Sequence, residues 1–280
     1  MLKLTVLLIA CITVYHVQAQ YYYKDIVANT ETNQLNQLLK KSKATAVRVT
    51  SIDFDDSPID NFLCEQTINN NAKHIITITG SPYVGENHLH AWYNNASQIT
   101  RSVDSNPSII IQNNYEYTQN MLSKITITSY EQGSKDKVIE QHHWLLDSSN
   151  RYTIMYRIKQ GTDTTVVRII RDTATQLPIE EIVLFKGKEK EHFYYYYDAT
   201  NLLTDVVKYH TYKQKLLPEV IQEYGINNQL TKKTMYTSGT KEYEIWMYKY
   251  NELGLKTEEQ CYLRGNMFRG KLVYNYNFEK

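Results

Sequence analysis

The chain has 280 residues, a formal net charge of +1, 22% charged residues and 42% hydrophobic residues. That balance excludes a disordered chain and supplies no basic field for nucleic acid or an anionic membrane surface. With only 10 Gly and 5 Pro, collagen-like and low-complexity classes are excluded too, whereas 25 Tyr and 12% aromatic residues are a sheet former's composition.

Residues 1–19 read as a secretory signal peptide. Lys3 supplies the positive charge, Leu4 to Val14 is an apolar run too short to span a bilayer, and Val17 and Ala19 occupy the −3 and −1 positions before Gln20. Leu8-Ile9-Ala10-Cys11 resembles a bacterial lipobox, so acylation at Cys11 is the alternative to cleavage before Gln20. Loss of Lys3 lowers Lys+Arg from 31 to 30 against 30 Asp+Glu, a net charge of zero. The expected location is exported: periplasmic, outer-membrane-associated or extracellular in a Gram-negative bacterium, with no transmembrane segment in the mature chain. Cys64 and Cys261 remain as candidates for a disulfide, against the alternative of two separately buried thiols.

Residues 20–106 read as a mixed α/β part packed on the sheet. Asn29-Thr30 offers a helix N-cap, with Leu35, Leu38 and Leu39 on one stripe before Lys40 and Lys41. Ala44 to Phe54 alternates as a strand. Ser57-Pro58 predicts a second helix over Ile59 to Ile68, stopped by Asn69-Asn70-Asn71, and His74 to Thr79 predicts another strand.

Residues 107–280 carry turn signals at a near-constant step of about 13 residues, which leaves no room for crossover helices and makes neighbouring strands antiparallel. The fold expected is mainly β: a long antiparallel β-meander of about 12–15 strands, curled or partly closed, with the small N-terminal α/β part. Every second turn shares a pattern. Tyr195-Tyr196-Tyr197-Asp198 leads to Asn201-Leu202-Leu203, Glu223-Tyr224-Gly225 to Asn228-Gln229-Leu230, and Tyr248-Lys249-Tyr250-Asn251 to Gly254-Leu255. Tyr115-Glu116-Tyr117-Thr118 before Met121-Leu122 is a further copy. Asp or Asn caps the turn, Gly or Asn accepts the left-handed position, and Leu restarts the buried face.

These hairpins resemble the tyrosine-aspartate (YD, or RHS-like) repeats of bacterial secreted and cell-surface proteins. The resemblance covers about Tyr115 to Phe278; it implies a β architecture and an extracytoplasmic setting, and it implies no catalytic residues.

Motifs for chemistry are sparse. No G-x-S-x-G elbow and no phosphate-binding glycine loop is present. His88 and His90 share a strand face near Glu86, and His142 and His143 point to opposite faces; all four read as sheet-surface histidines, with no metal site or cofactor expected. Glu180-Glu181 and Glu258-Glu259 read as solvated edges or turn caps. The positive lead is aromatic: Tyr195, Tyr197, Trp246, Tyr248, Tyr250, Tyr274 and Tyr276 are the candidate binding residues of an exposed sheet surface. The function expected is a non-enzymatic secreted or cell-envelope binding or structural module with a glycan or envelope protein as partner. The alternative is a periplasmic lipid or lipoprotein carrier of half-barrel type, lidded by the N-terminal helices.

Overall fold

The structure is a computed structural model that describes residues 21–81 and 85–279. The expected signal peptide and both candidate N-termini, Cys11 and Gln20, lie outside the described residues. Helix α1 (Lys24–Ser42) is followed by β1 (Ala44–Asp53), β2 (Leu63–Asn69), β3 (His74–Ser81), β4 (Gly85–Tyr93), β5 (Ile99–Ser105) and β6 (Ile109–Thr118). Then come β7 (Met121–Glu131), β8 (Val138–Leu146), β9 (Tyr152–Lys159), β10 (Asp163–Arg171), β11 (Pro178–Phe185) and β12 (Lys188–Tyr197). The chain ends with β13 (Leu203–His210), β14 (Lys215–Tyr224), β15 (Leu230–Tyr236), β16 (Tyr243–Tyr250), β17 (Lys256–Leu263) and β18 (Met267–Phe278).

Each strand pairs antiparallel with its sequence neighbours, and β1 also pairs with β18, Val47 opposite Tyr276 and Thr50 opposite Val273. The meander therefore closes on itself as an 18-stranded barrel. The expected turns of residues 107–280 all separate observed strands. The strand count rises above the expectation because β1–β5 are members of the same ring.

The predicted second helix is corrected. Residues 63–69 form β2, between β1 and β3. Cys64 and Ile68 are buried on one face while Glu65 and Thr67 point away, an alternation that a short segment can hide inside a helical spacing. Pro58 makes a bridge with Ile52, and Asn70, Asn71 and Ala72 take left-handed backbone angles to make a hairpin turn rather than a helix stop. Helix α1 is corrected in extent: it starts at Lys24, so Asn29 lies inside it rather than at its cap, and Leu35 is exposed.

Five hairpins at one end share a loop of five residues (94–98, 147–151, 198–202, 225–229 and 251–255), and this end is the loop rim. Asp147, Asp198 and Asn251 each accept, on Oδ1, backbone N–H groups two and four residues on. The fourth loop residue has positive φ: Asn150, Asn201, Asn228 and Gly254. Four inward tyrosines near this rim each bond to the residue that follows one of these loops. Tyr224 donates to the Leu203 carbonyl at 2.9 Å and Tyr250 to the Leu230 carbonyl at 2.8 Å. Tyr117 donates to the Ile99 carbonyl at 2.9 Å, and Tyr276 to the Lys256 carbonyl at 2.9 Å. In each case the acceptor is the first residue after the preceding loop, so the repeat is a chain of clamps around the rim.

Two apolar cores form on opposite arcs. One joins Leu122, Trp144, Met155, Val167, Phe193 and Val206 with Ile26 of α1; the other joins Val47, Val49, Cys64, Ile75 and Leu272 with Leu39 of α1. A 19-residue helix is about 29 Å long. It crosses the barrel just inside the loop rim and buries one end in each core. The outer wall is different. Arg48–Glu65, Lys232–Glu223 and Lys249–Glu258 form ion pairs there, and Arg168 is exposed in mid-strand. The same wall also exposes Leu145, Ile170, Tyr196 and Met247, so its outer face is mixed. Among the described residues no helix is long and apolar enough to cross a membrane.

Cys64 and Cys261 are not bonded to each other. They face inward on β2 and β17, with β1 and β18 between them. Three strand spacings of about 4.8 Å exceed the reach of a disulfide, and burial pushes the Cys261 thiol up to about 12.

Two substitutions test this architecture. A Cβ on Gly270, whose φ is +150°, would lie 2.5 Å from the Ile52 carbonyl oxygen at the β1–β18 seam. Gly270→Ala is expected to destabilise by about 1–3 kcal/mol, read from the urea midpoint. Tyr250→Phe removes one clamp and is expected to cost about 1 kcal/mol without changing the far-UV spectrum; an unchanged midpoint would show that the clamps contribute nothing.

Candidate functional site

The seven aromatic residues expected on an exposed sheet surface all face the inside of the barrel. They share strand faces with the buried positions Phe193, Trp246 and Leu272, whereas the intervening Tyr196, Met247 and Lys249 are exposed on the outer wall. Tyr195 is 2% exposed and Trp246 is buried. Tyr248 packs under the Lys256 ammonium at 5.1 Å, and burial raises its hydroxyl well above the usual phenol range. Tyr274 donates to Glu259 at 2.8 Å, Tyr250 and Tyr276 are rim clamps, and Tyr197 has a buried hydroxyl with no hydrogen-bond partner among the described residues. Closure decides this: the apolar face of every strand turns inward, and the tyrosines follow it.

The inner wall holds the helix by its polar groups. Glu181, fully buried on β11, accepts the Tyr22 N–H on Oε1 at 2.7 Å and the Tyr23 N–H on Oε2 at 2.8 Å, together with the Tyr195 hydroxyl at 2.8 Å. It caps the start of α1 from the adjoining wall, in place of a local cap. His142 on β8 contacts Asp25 of the first helical turn at 2.5 Å and Glu140 at 2.9 Å, and Arg157 closes the network with two bonds to Glu140. Farther along α1, Asn29 donates to the Tyr117 hydroxyl, Asn33 accepts the Ile99 N–H, and Asn36 donates to the Ala72 carbonyl at 2.7 Å. Asn29, Asn33 and Asn36 thus give the helix a polar stripe matched to wall groups.

Burial and pairing set the charges here. Burial pushes the Glu181 carboxyl up to about 7, against the three hydrogen bonds that favour its anion. Burial opposes protonation of His142, but Asp25 and Glu140 outweigh it and raise the imidazole to about 9. Burial also opposes ionisation of Glu140, and bonds from His142 and Arg157 overcome it, to about 2.

Away from the loop rim the inner wall remains polar. Lys208 pairs with Glu191 at 2.6 Å, Arg269 with Glu244 at 2.8 Å, and Asn87 donates to Asp104 at 2.6 Å. Glu219 accepts the Ser238 hydroxyl at 2.9 Å and lies 3.5 Å from His210. Its carboxylate stands between serine and histidine, so the hydroxyl is oriented toward an anion and not toward a general base; this order does not activate a nucleophile. No group of three or more metal-ligating side chains occurs among the described residues.

Glu181 and His142 are corrections to the surface reading of both. Their signal was available: Glu181 alternates with Val183 and His142 with Trp144, which places a titratable group on a strand's buried face. What they bind comes from a helix more than 100 residues away in sequence.

The sign of the pH response follows. His142 contributes stability that is fully present below about 6.5 and lost as pH rises through about 9. At about 1.4 kcal/mol per unit, the loss is at most roughly 3 kcal/mol. The urea midpoint is expected to fall between pH 6.5 and 9.5, and His142→Gln to abolish that fall; an equal fall in both proteins would assign it elsewhere. Glu181 adds a separate loss between about pH 4.5 and 7, because its neutral form is the one the fold favours.

No protein-family model matches the chain, and no curated protein matches it. Among solved structures it is similar to a porin-like protein from Bacteroides uniformis, at 10% identity and a TM-score of 0.45, over 84% of this chain and 98% of that one. It is also similar to part of the TcdB2-TccC3 structure, at 12% identity and a TM-score of 0.31, over 82% of this chain and 16% of that one. A Photorhabdus luminescens Tc holotoxin pore is similar at 10% identity and a TM-score of 0.23, over 76% of this chain and 16% of that one. The chain spans about one sixth of the length of those toxin chains.

Proposed function

We propose that this protein is a non-enzymatic, exported β-shell that acts as a binding or structural module of the cell envelope, and that its inner wall receives polypeptide. The observation that carries the reading is α1 itself. The wall holds a peptide segment by backbone and side-chain hydrogen bonds, from Glu181 to the Tyr22 and Tyr23 amides through Asn36 to the Ala72 carbonyl. The leader sequence supports export, and the clamped Tyr-Asp loops support kinship with YD-type shells. A lipid or lipoprotein carrier needs a dry aliphatic lining. Here the wall beyond the helix carries Lys208–Glu191, Arg269–Glu244 and Glu140–Arg157 pairs, and the apolar arcs are filled by Ile26 and Leu39.

Limited proteolysis combined with native mass spectrometry of the exported full chain tests this. The segment 24–42 is expected to resist cleavage in the native protein and to be cut at least about tenfold faster in Glu181→Ala, which leaves buried donors unpaired at about 1–3 kcal/mol each. No lipid-sized adduct is expected. Equal cleavage in both proteins would sink the peptide-holding wall, and a retained lipid would restore the carrier.

A further inference from the structure

The outer wall of β3–β5 carries a cluster that the inner site does not use. His74 on β3 stands opposite Trp92 on β4, and His90, two residues back on β4, is its diagonal neighbour. All three point outward, because Ile75, Thr77 and Ala91 occupy the buried face. The His74 and Trp92 rings are stacked at 4.9 Å and 9°, His74 and His90 lie at 5.4 Å and 26°, and the Arg101 guanidinium sits 5.0 Å from the Trp92 ring centre.

His74 Nε2 and His90 Nδ1 are 3.2 Å apart and share one hydrogen bond, whose donor is set by the ring tautomers. Two nitrogens at about 2.0–2.1 Å from one tetrahedral ion are about 3.3 Å from each other. The spacing is thus that of two cis ligands of a single metal ion. We propose that His74 and His90 form a two-imidazole site on the outer wall for a divalent transition-metal ion of the zinc, nickel and copper class. On binding, the ring that donates this hydrogen bond changes tautomer and carries its proton on its other nitrogen, so each neutral imidazole gives one lone pair, and water completes the coordination. Imidazole donors select this class over magnesium or calcium. His88 is held toward Glu86, at 3.4 Å, and is not required. Neither strand alone shows the site, since the two ligands are 16 residues apart and meet only through the β3–β4 register.

Trp92 is a built-in reporter, because its ring faces His74 while Trp144 and Trp246 are buried on the inner wall. The test is a titration of the tag-free full chain with copper(II) alone, followed by tryptophan fluorescence, and with zinc(II) alone, followed by calorimetry. One-to-one saturable quenching by copper, competed by zinc, is expected. His74→Asn and His90→Asn are each expected to weaken binding at least tenfold, His143→Asn to leave it unchanged, and Trp92→Phe to lose the quench but keep the calorimetric binding. Absence of one-to-one binding, or a loss of less than tenfold in either histidine variant, overturns the proposal.

Discussion

The pairing of β1 with β18 is the constraint on which the rest of the molecule depends. A sheet of this width left open would expose two edges of unpaired N–H and C=O groups and would have no defined inside. Closure removes both edges. It also converts the period-2 pattern of every strand into one statement about an interior, because a residue on the apolar face of any strand now faces the same enclosed space. The Gly270 backbone at this seam passes so near the Ile52 carbonyl that no side chain fits, which shows how tightly the last strand is drawn against the first.

An 18-stranded ring is too wide for its own side chains to fill. Helix α1 resolves this near the loop rim by spanning between two separate apolar arcs. Because the arcs do not meet, the helix centre crosses polar ground, and its asparagines answer wall groups one by one. The helix start has no local cap and takes Glu181 instead, with His142, Glu140 and Arg157 balancing the first-turn Asp25. The polar network therefore gives the helix its position and polarity, while the two arcs give it burial. That division fixes α1 against the wall by hydrogen bonds and by burial at once.

The repeat acquires a mechanical meaning in the ring. Loop residues such as Asp198 and Asn251 fold each hairpin locally, while Tyr224 and Tyr250 reach back to the residue after the preceding loop. Local turn chemistry and lateral clamping are thus written into the same short motif, which accounts for its recurrence at hairpin spacing.

The amino-acid sequence by itself determined the β character, the antiparallel order, the position of every turn from residue 107 onward and the capping role of its Asp, Asn and Gly residues. These are local properties, set by alternation and by which residues accept a left-handed backbone. Residues 59–68 carry a short apolar spacing that serves a helix or a strand equally, and only the presence of β1 and β3 on either side of residues 63–69 decides for a strand. Tertiary structure alone decided which face was inside. Tyr195, Trp246 and Tyr274 show an apolar alternation in either case, and closure, which joins residues more than 200 positions apart, turned them from a presumed surface into a lining. It likewise decided the partners of Glu181 and His142 and the meeting of His74 with His90, since a side chain's neighbours across a sheet depend on register and not on sequence distance.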